Sequence, residues 1–324
     1  MNKCFKSTAI LTGIAATLLS ASVAAKSVTI GYMSVFDPWK QAISEKLIKK
    51  DTGYDVKWRR FDSGAKVITA MASGSVDMAS LGSSPIAAAV SRGVNMEVVW
   101  VLENIADAEA LVVRNGTGIN SPSDLKGKRI AVPFVSTTHY HTLFALQQFG
   151  LTEKDVKLIN MQPNNIVAGW IRGDIDGAFI WNPALGKIKA DGKVLITSKT
   201  LSSWGRATFN GLVVNKEFSK DNADFVTKVV KIASDQTALY HKEKATLTTD
   251  SPMIKNIVKV AGGDINTVVD VLALYDFPEI KTQLSCTWLG CGMKSGVAKA
   301  LKETSKYLKK KRKFMSYNQI IVFL

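Results

Sequence analysis

The chain of 324 residues is poor in proline, with 8, and poorer still in cysteine and histidine, with 3 of each. Few prolines, 46% hydrophobic residues and 21% charged residues exclude a disordered or collagen-like protein. No stretch after the first 25 residues approaches 18 uninterrupted apolar positions, so no membrane-spanning helix is expected in the mature chain. The G-x-S-x-G nucleophile elbow and the H-E-x-x-H zinc motif are both missing. His139 and His141 form H-x-H, which on a helix points the rings to different faces, against a metal site. No Cys/His pair sits on matched elements to suggest a thiol nucleophile. The expectation is a binding protein that is not an enzyme, with no cofactor and no metal.

What is present begins at the N-terminus. Lys3 and Lys6 precede a short apolar run, AILTGIAATLL over 9–19, and small residues close at Val23-Ala24-Ala25. This is the pattern of a secretory signal peptide, 1–25, cleaved after Ala25, and it predicts a soluble, periplasmic mature chain. Cys4 precedes the apolar run instead of following it, against a lipoprotein anchor. Cys286 and Cys291 are then the remaining thiols; in an oxidising compartment they either close a small local disulfide or stand as two loop thiols.

The formal charge of +15 at first suggests a polyanionic partner such as nucleic acid. Its location weakens that reading. Loss of the signal peptide leaves +13, and residues 302–324 hold seven positive charges against one negative. The body, 26–301, carries +7, so no nucleic-acid partner is expected. The basic tail reads as a solvated helix end, an anionic-surface contact or an altered C-terminus.

Strand-like segments at 28–32, 54–61 and 74–81 alternate with helical ones at 38–50, 65–72 and 85–90, and a second series starts at 128–133. Such alternation predicts an α/β fold with mainly parallel sheets. An internal echo sharpens it: GSVDMASL at 74–81 and GDIDGAFI at 173–180 share G-x-[VI]-D-x-A-x-[LI], 99 residues apart. EALVVR at 109–114 and NGLVVN at 210–215 are a second pair of near twins. If both cross between lobes, they make a hinge. Lobe one is then 26–114 plus 212–301, lobe two is 115–211, and 302–324 is the tail.

Candidate ligand-binding residues follow from that picture, since ligands of open α/β sheets bind beyond the carboxyl ends of the strands. Ser83 and Ser84 follow a strand and open a helix; Thr137, Thr138 and His139 occupy the equivalent place in lobe two. Hydroxyls and free N–H groups at two helix starts suit a small oxyanion, and neither start has a Gly-rich nucleotide loop. Trp181 ends the echo strand and could wall a pocket against a short aliphatic chain. The crossings place Glu109 and Asn210 near the cleft, with Glu109 the candidate for an amine. Tyr32 and Trp39 flank the first strand-to-helix turn, where pocket lining and ordinary packing are both open.

The runs WRRFDSGAKVITAMASGSVDMASLGSSP, EALVV, DLKGKRIAVPFVSTTHY and RGDIDGAFIWNPAL resemble the taurine/sulfonate/nitrate family of periplasmic solute-binding proteins of ABC importers. The likeness runs from about 28 to 301. It implies a two-lobed periplasmic binding fold of the type 2 kind and a monomer that captures taurine or a related sulfonate. A membrane permease and its ATPase would be the partners. By this resemblance Ser83, Ser84, Thr137, Thr138 and His139 line the sulfonate end, while Glu109 and Trp181 serve the amine end and the chain between. Two departures stand out. Asn210 occupies a position where similar taurine binders tend to have Asp, which favours an alkanesulfonate without the amine. After about Lys309 the likeness stops, and KKKRKFMSYNQIIVFL is what a shifted reading frame within the lysine codons would produce. The alternatives are a binder of another alkanesulfonate or of a small oxyanion such as nitrate, and an enzyme on the same fold similar to pyrimidine-precursor synthases. A ligand-sensing regulator would need a DNA-binding module, and none fits before Val28.

Overall fold

The computed structural model describes residues 25–310. The expected signal peptide, Ala25 apart, and residues 311–324 of the expected tail lie outside the described residues.

Ten strands are described: β1 (Ser27–Met33), β2 (Asp55–Phe61), β3 (Met78–Gly82), β4 (Met96–Asn104), β5 (Glu109–Arg114), β6 (Arg129–Val132), β7 (Lys157–Asn160), β8 (Gly177–Trp181), β9 (Gly192–Thr197) and β10 (Phe209–Asn215). They form two five-stranded sheets, ordered β2-β1-β3-β10-β4 and β7-β6-β8-β5-β9. In each, the three strands at one end pair in parallel and one strand, β10 or β5, runs antiparallel between its neighbours. The two-lobed α/β architecture expected from the alternation is present. Helices cover both faces, which is why β3 and β8 are buried along their whole length instead of alternating.

The internal echo has a structural cause. Asp77 Oδ2 accepts the backbone N–H of Thr29 at 2.7 Å, and Asp176 Oδ2 accepts that of Arg129 at 2.8 Å. Each aspartate, just before the central strand, holds the start of the neighbouring parallel strand. The backbone N–H of each also donates to the carbonyl of the same Thr29 or Arg129. The repeated Gly-x-[Val/Ile]-Asp is therefore a strand-registration device used once per lobe.

The pairing places one strand otherwise than the expected 26–114 segment did. Glu109–Arg114 pairs with β8 and β9 and so belongs to the second sheet. Its twin β10, with Asn210, belongs wholly to the first. The chain thus changes sheets between Asn104 and Glu109. Period-2 alternation sends Ala110 and Val112 to the large apolar core shared by both lobes, and Leu111 and Val113 to the core of the second sheet's other face.

Two further expectations change. The first helix, expected over 38–50, breaks into Trp39–Ser44 and Leu47–Thr52 at Lys46, which adopts left-handed φ 56°. The segment from 302 is no separate tail as far as Lys310. It belongs to the helix Gly296–Lys310, which packs on the helix Ser83–Ser91 and buries Thr304, Ser305 and Leu308, with Leu308 in the second lobe's core. Lys302, Lys306 and Lys309 lie on its exposed face. Cys286 and Cys291 form a disulfide.

Candidate functional site

Two helix starts face each other between the sheets. The helix Ser83–Ser91 follows β3 through Gly82, and the helix Thr137–Gln148 is capped by Ser136, whose Oγ accepts the His139 N–H at 3.0 Å. Both helices leave their first N–H groups without intrahelical acceptors, with the positive end of the dipole toward the cleft. Val135, at φ 59°, turns the chain into the second start. A β-branched residue in that region is strained, about 1–2 kcal/mol.

Between the lobes lies a narrow cavity of about 20 Å³. Glu109, Thr137, Trp181 and Asn210, all singled out in the sequence, line it together with Gly82, Ser136 and Tyr275. Met33, Val35 and Pro85 supply apolar wall. No Lys or Arg is among the described lining residues. Gly82 sits at a close approach: a β-carbon there would stand 3.0 Å from Thr137 Cγ2 and 3.2 Å from Asn210 Oδ1.

Glu109 and Trp181 are directly opposed in the β5–β8 pairing, so their side chains emerge together at the cleft end of the second sheet. Thr137 Oγ1 donates to Glu109 Oε1 at 2.5 Å, and Ser198 Oγ lies 3.3 Å from Oε2. Burial pushes the Glu109 carboxyl up to about 7, against the lowering effect of those hydroxyls. Asn210 Nδ2 donates to Glu103 Oε1 at 2.6 Å. Burial, then the nearby Asp37, pushes the Glu103 carboxyl well above the ordinary range. Asp37 is itself ion-paired with Lys40 at 2.6 Å, both buried. Each lobe therefore brings a carboxyl to the cavity region, Glu109 hydrogen-bonded to the second helix start and Glu103 behind Asn210.

The remaining expected residues sit elsewhere. Ser83 Oγ accepts the Phe209 N–H at 3.3 Å and so ties the first helix start to β10. Thr138 is buried against Ser136 Oγ at 2.8 Å, within the cap. Ser84 and His139 face an adjoining space of about 280 Å³, which shares Ser136 with the cavity. There His139 stacks on Phe134 at 4.4 Å. Tyr32 is corrected outright: it packs edge-on against Trp58 at 6.2 Å, because period-2 alternation along β1 turns Tyr32 to the outer core and Met33 to the cleft. Trp39 lies in the same outer core.

Glu103, Ser136, Ser198 and Tyr275 are not singled out by the sequence. Ser136 is visible there as the cap position before Thr137; Glu103 and Tyr275 come from segments far apart in the chain, with no local motif.

This chain is 37% identical over 292 residues to the taurine-binding periplasmic protein of Escherichia coli K12, covering 89% of this chain and 88% of the relative. Two solved structures share the fold. The alkanesulfonate-binding protein SsuA from Xanthomonas axonopodis pv. citri, bound to MOPS, aligns with TM-score 0.75 at 21% identity over 92% of this chain and 98% of that one. The periplasmic aliphatic sulphonate binding protein SsuA from Escherichia coli aligns with TM-score 0.69 at 22% identity, over 89% and 93%. Residues 50–245 match the family model described as NMT1/THI5 like. Two sheets of equivalent order, a cleft at paired helix starts and these likenesses agree: the chain belongs to the NMT1/THI5 like family and has the two-lobed periplasmic binding protein fold.

Proposed function

We propose that this chain is the solute-binding component of an ABC importer. It is exported to the periplasm, with its signal peptide removed after Ala25, and captures taurine between its lobes for delivery to a membrane permease and its ATPase. One observation carries the reading: one narrow cavity brings the buried Glu109 carboxyl together with the helix-start segment Ser136-Thr137, with no Lys or Arg among its described lining residues. That arrangement suits a small zwitterion. It does not suit a polyanion, whose charge would need cations.

The sulfonate oxygens accept hydrogen bonds from the N–H groups of the two helix starts. The ammonium meets Glu109. A buried carboxyl titrating near 7 becomes fully ionised once a cation lies beside it, so its full charge is present only with the ligand's ammonium in place. Trp181, Met33 and Val35 enclose the two-carbon chain. The cavity has room for about one water, so taurine enters when the lobes part at the crossings before β5 and β10. The chain carries no catalytic step in this reading; it binds and releases.

Isothermal titration with taurine, ethanesulfonate and sulfate tests the proposal. Taurine binding well below millimolar and tighter than ethanesulfonate supports it. Absence of taurine binding at millimolar concentration overturns it.

A further inference from the structure

We infer that Glu103 fixes the polarity of the Asn210 amide, so that Asn210 presents an acceptor, not a donor, to the ligand's ammonium group. The inference rests on the aminosulfonate reading and deepens it.

Asn210 on β10 is directly opposed to Glu103 on β4. Its Nδ2 donates to Glu103 Oε1 at 2.6 Å, and Glu103 is 1% exposed. An ionised carboxylate only accepts. Ionised Glu103, the state that a cation in the cavity favours, therefore holds the NH₂ end of Asn210 toward itself. The other end, Oδ1, is the atom that approaches Gly82, and both residues line the cavity. No hydrogen bond among the described residues ends on that Oδ1.

The ammonium group of an aminosulfonate has three N–H donors. Glu109 supplies one acceptor, and Asn210 Oδ1, on the facing lobe, supplies a second. The aspartate expected at the second crossing would have supplied charge and acceptor in one side chain. Here the two roles are divided. Asn210 makes the contact, and Glu103, on the neighbouring edge strand β4, holds it and adds the negative field. Glu103 Oε2 is buried without a hydrogen-bond partner, so this carboxyl is not saturated by structural contacts. Asp37, Lys40 and Glu109 are the other charged groups that act on it. Glu103 is thus a positioning residue for specificity, and Asn210 does not mark the loss of amine recognition.

The test is titration of taurine and ethanesulfonate against four proteins: wild type, two single variants and a double variant. In Glu103→Gln, the new amide can donate to Asn210 Oδ1, which lets the Asn210 amide turn over and point N–H groups at the ammonium. Taurine affinity then falls about 10- to 100-fold, while ethanesulfonate affinity, which reports the sulfonate end and the fold, stays within about twofold. The double variant E103Q/N210D restores taurine binding, because the introduced glutamine amide can donate to one oxygen of the introduced aspartate and leave the other facing the cavity. Asn210→Asp alone keeps taurine binding, since the cavity-facing atom remains an acceptor.

Equal loss of both ligands in E103Q, no change in their ratio, or failure of the double variant to recover taurine overturns the inference. Should E103Q fail to fold, Asn210→Asp decides alone: abolished taurine binding means Asn210 was donating to the ligand. A wild-type protein that binds neither sulfonate overturns the underlying reading itself and the inference with it. A wild-type protein that binds taurine while the variants miss their expected pattern overturns the inference only.

Discussion

Ser198 Oγ lies 2.7 Å from His141 Nδ1, and the other ring nitrogen, Nε2, lies 2.7 Å from the carbonyl oxygen of Arg206. A carbonyl only accepts, so Nε2 carries the proton. Burial pulls His141 down to about 4, so the ring is neutral near pH 7 and Nδ1 is an acceptor. The single Ser198 proton then has two claimants, Nδ1 and Glu109 Oε2. A protonated Glu109 resolves the conflict by donating to Ser198, which donates to His141. An ionised Glu109 takes the Ser198 proton and leaves Nδ1 without a donor. The network behind the cleft therefore favours the neutral acid until a cation arrives.

Removing the Glu109 charge separates the two ends of the ligand. Glu109→Gln is expected to weaken taurine binding about 10- to 100-fold, the value of one buried hydrogen bond to a charged group. Ethanesulfonate, lacking the ammonium, should change by less than about threefold. Parallel calorimetric titrations check this, and equal losses would place Glu109 away from the amine.

Taurine binding should depend on pH through the same carboxyl. With Glu109 at about 7 in the ligand-free protein and lowered by a bound ammonium, binding releases a proton below neutrality. Affinity rises with pH up to about 7 and levels off above it. Titrations at pH 6 in buffers of different ionisation heat should show the released proton; identical heats would count against the coupling.

The ligand-free protein should show the opposite trend in stability. Because the folded pKa of Glu109 lies above its ordinary 4.5, its contribution is fully present below that value and is lost as pH rises through about 7. The difference amounts to about 3 kcal/mol. Neutral His141 works the other way, stabilising above 6.5 and losing its effect as pH falls through about 4. Denaturant melts of wild type and E109Q from pH 4 to 8 cancel the His141 part, and their difference should grow across that window.

Gly82→Ala probes the closeness of the lobes. The added methyl would meet Thr137 Cγ2 at 3.0 Å and Asn210 Oδ1 at 3.2 Å, both on the cavity wall. Gly82 has ordinary backbone angles, φ −68°, so alanine costs little within its own strand. The expected result is taurine binding weakened about tenfold with an unchanged melting temperature. A lowered melting temperature with normal affinity would contradict the cleft assignment.

The disulfide should serve stability alone. Cys286 and Cys291 are five residues apart, and closing so short a loop is worth about 2 kcal/mol in the chain-entropy account. C286S/C291S should lower the urea midpoint accordingly and leave taurine affinity unchanged, because neither cysteine lines the cavity.

Much of the cleft is legible in the sequence because it is built from local signals. Gly-x-[Val/Ile]-Asp marks the strand registration in both lobes, and Thr137 and Trp181 stand at the ends of recognisable strand-to-helix turns. Tyr32 is misplaced by such signals because the side-chain direction on a strand flips with every residue, and the cleft-facing position is its neighbour Met33. Ser83 and Thr138 share a motif with lining residues, yet their hydroxyls are taken by β10 and by the cap.

By itself the sequence determined two equivalent α/β lobes, a mainly parallel strand order and the polar residues at their crossings, since hydrophobic period and turn chemistry act over short stretches of chain. The tertiary structure alone decided which sheet the strand Glu109–Arg114 joins, that Glu103 stands behind Asn210, and that Ser198 and His141 stand behind Glu109. Those hydrogen-bonded pairs are separated by 57 to 107 residues in sequence. Strand pairing in the first sheet sets Glu103 beside Asn210, packing of the second sheet against its helices brings Ser198 and His141 to Glu109, and with burial these charges come to depend on one another.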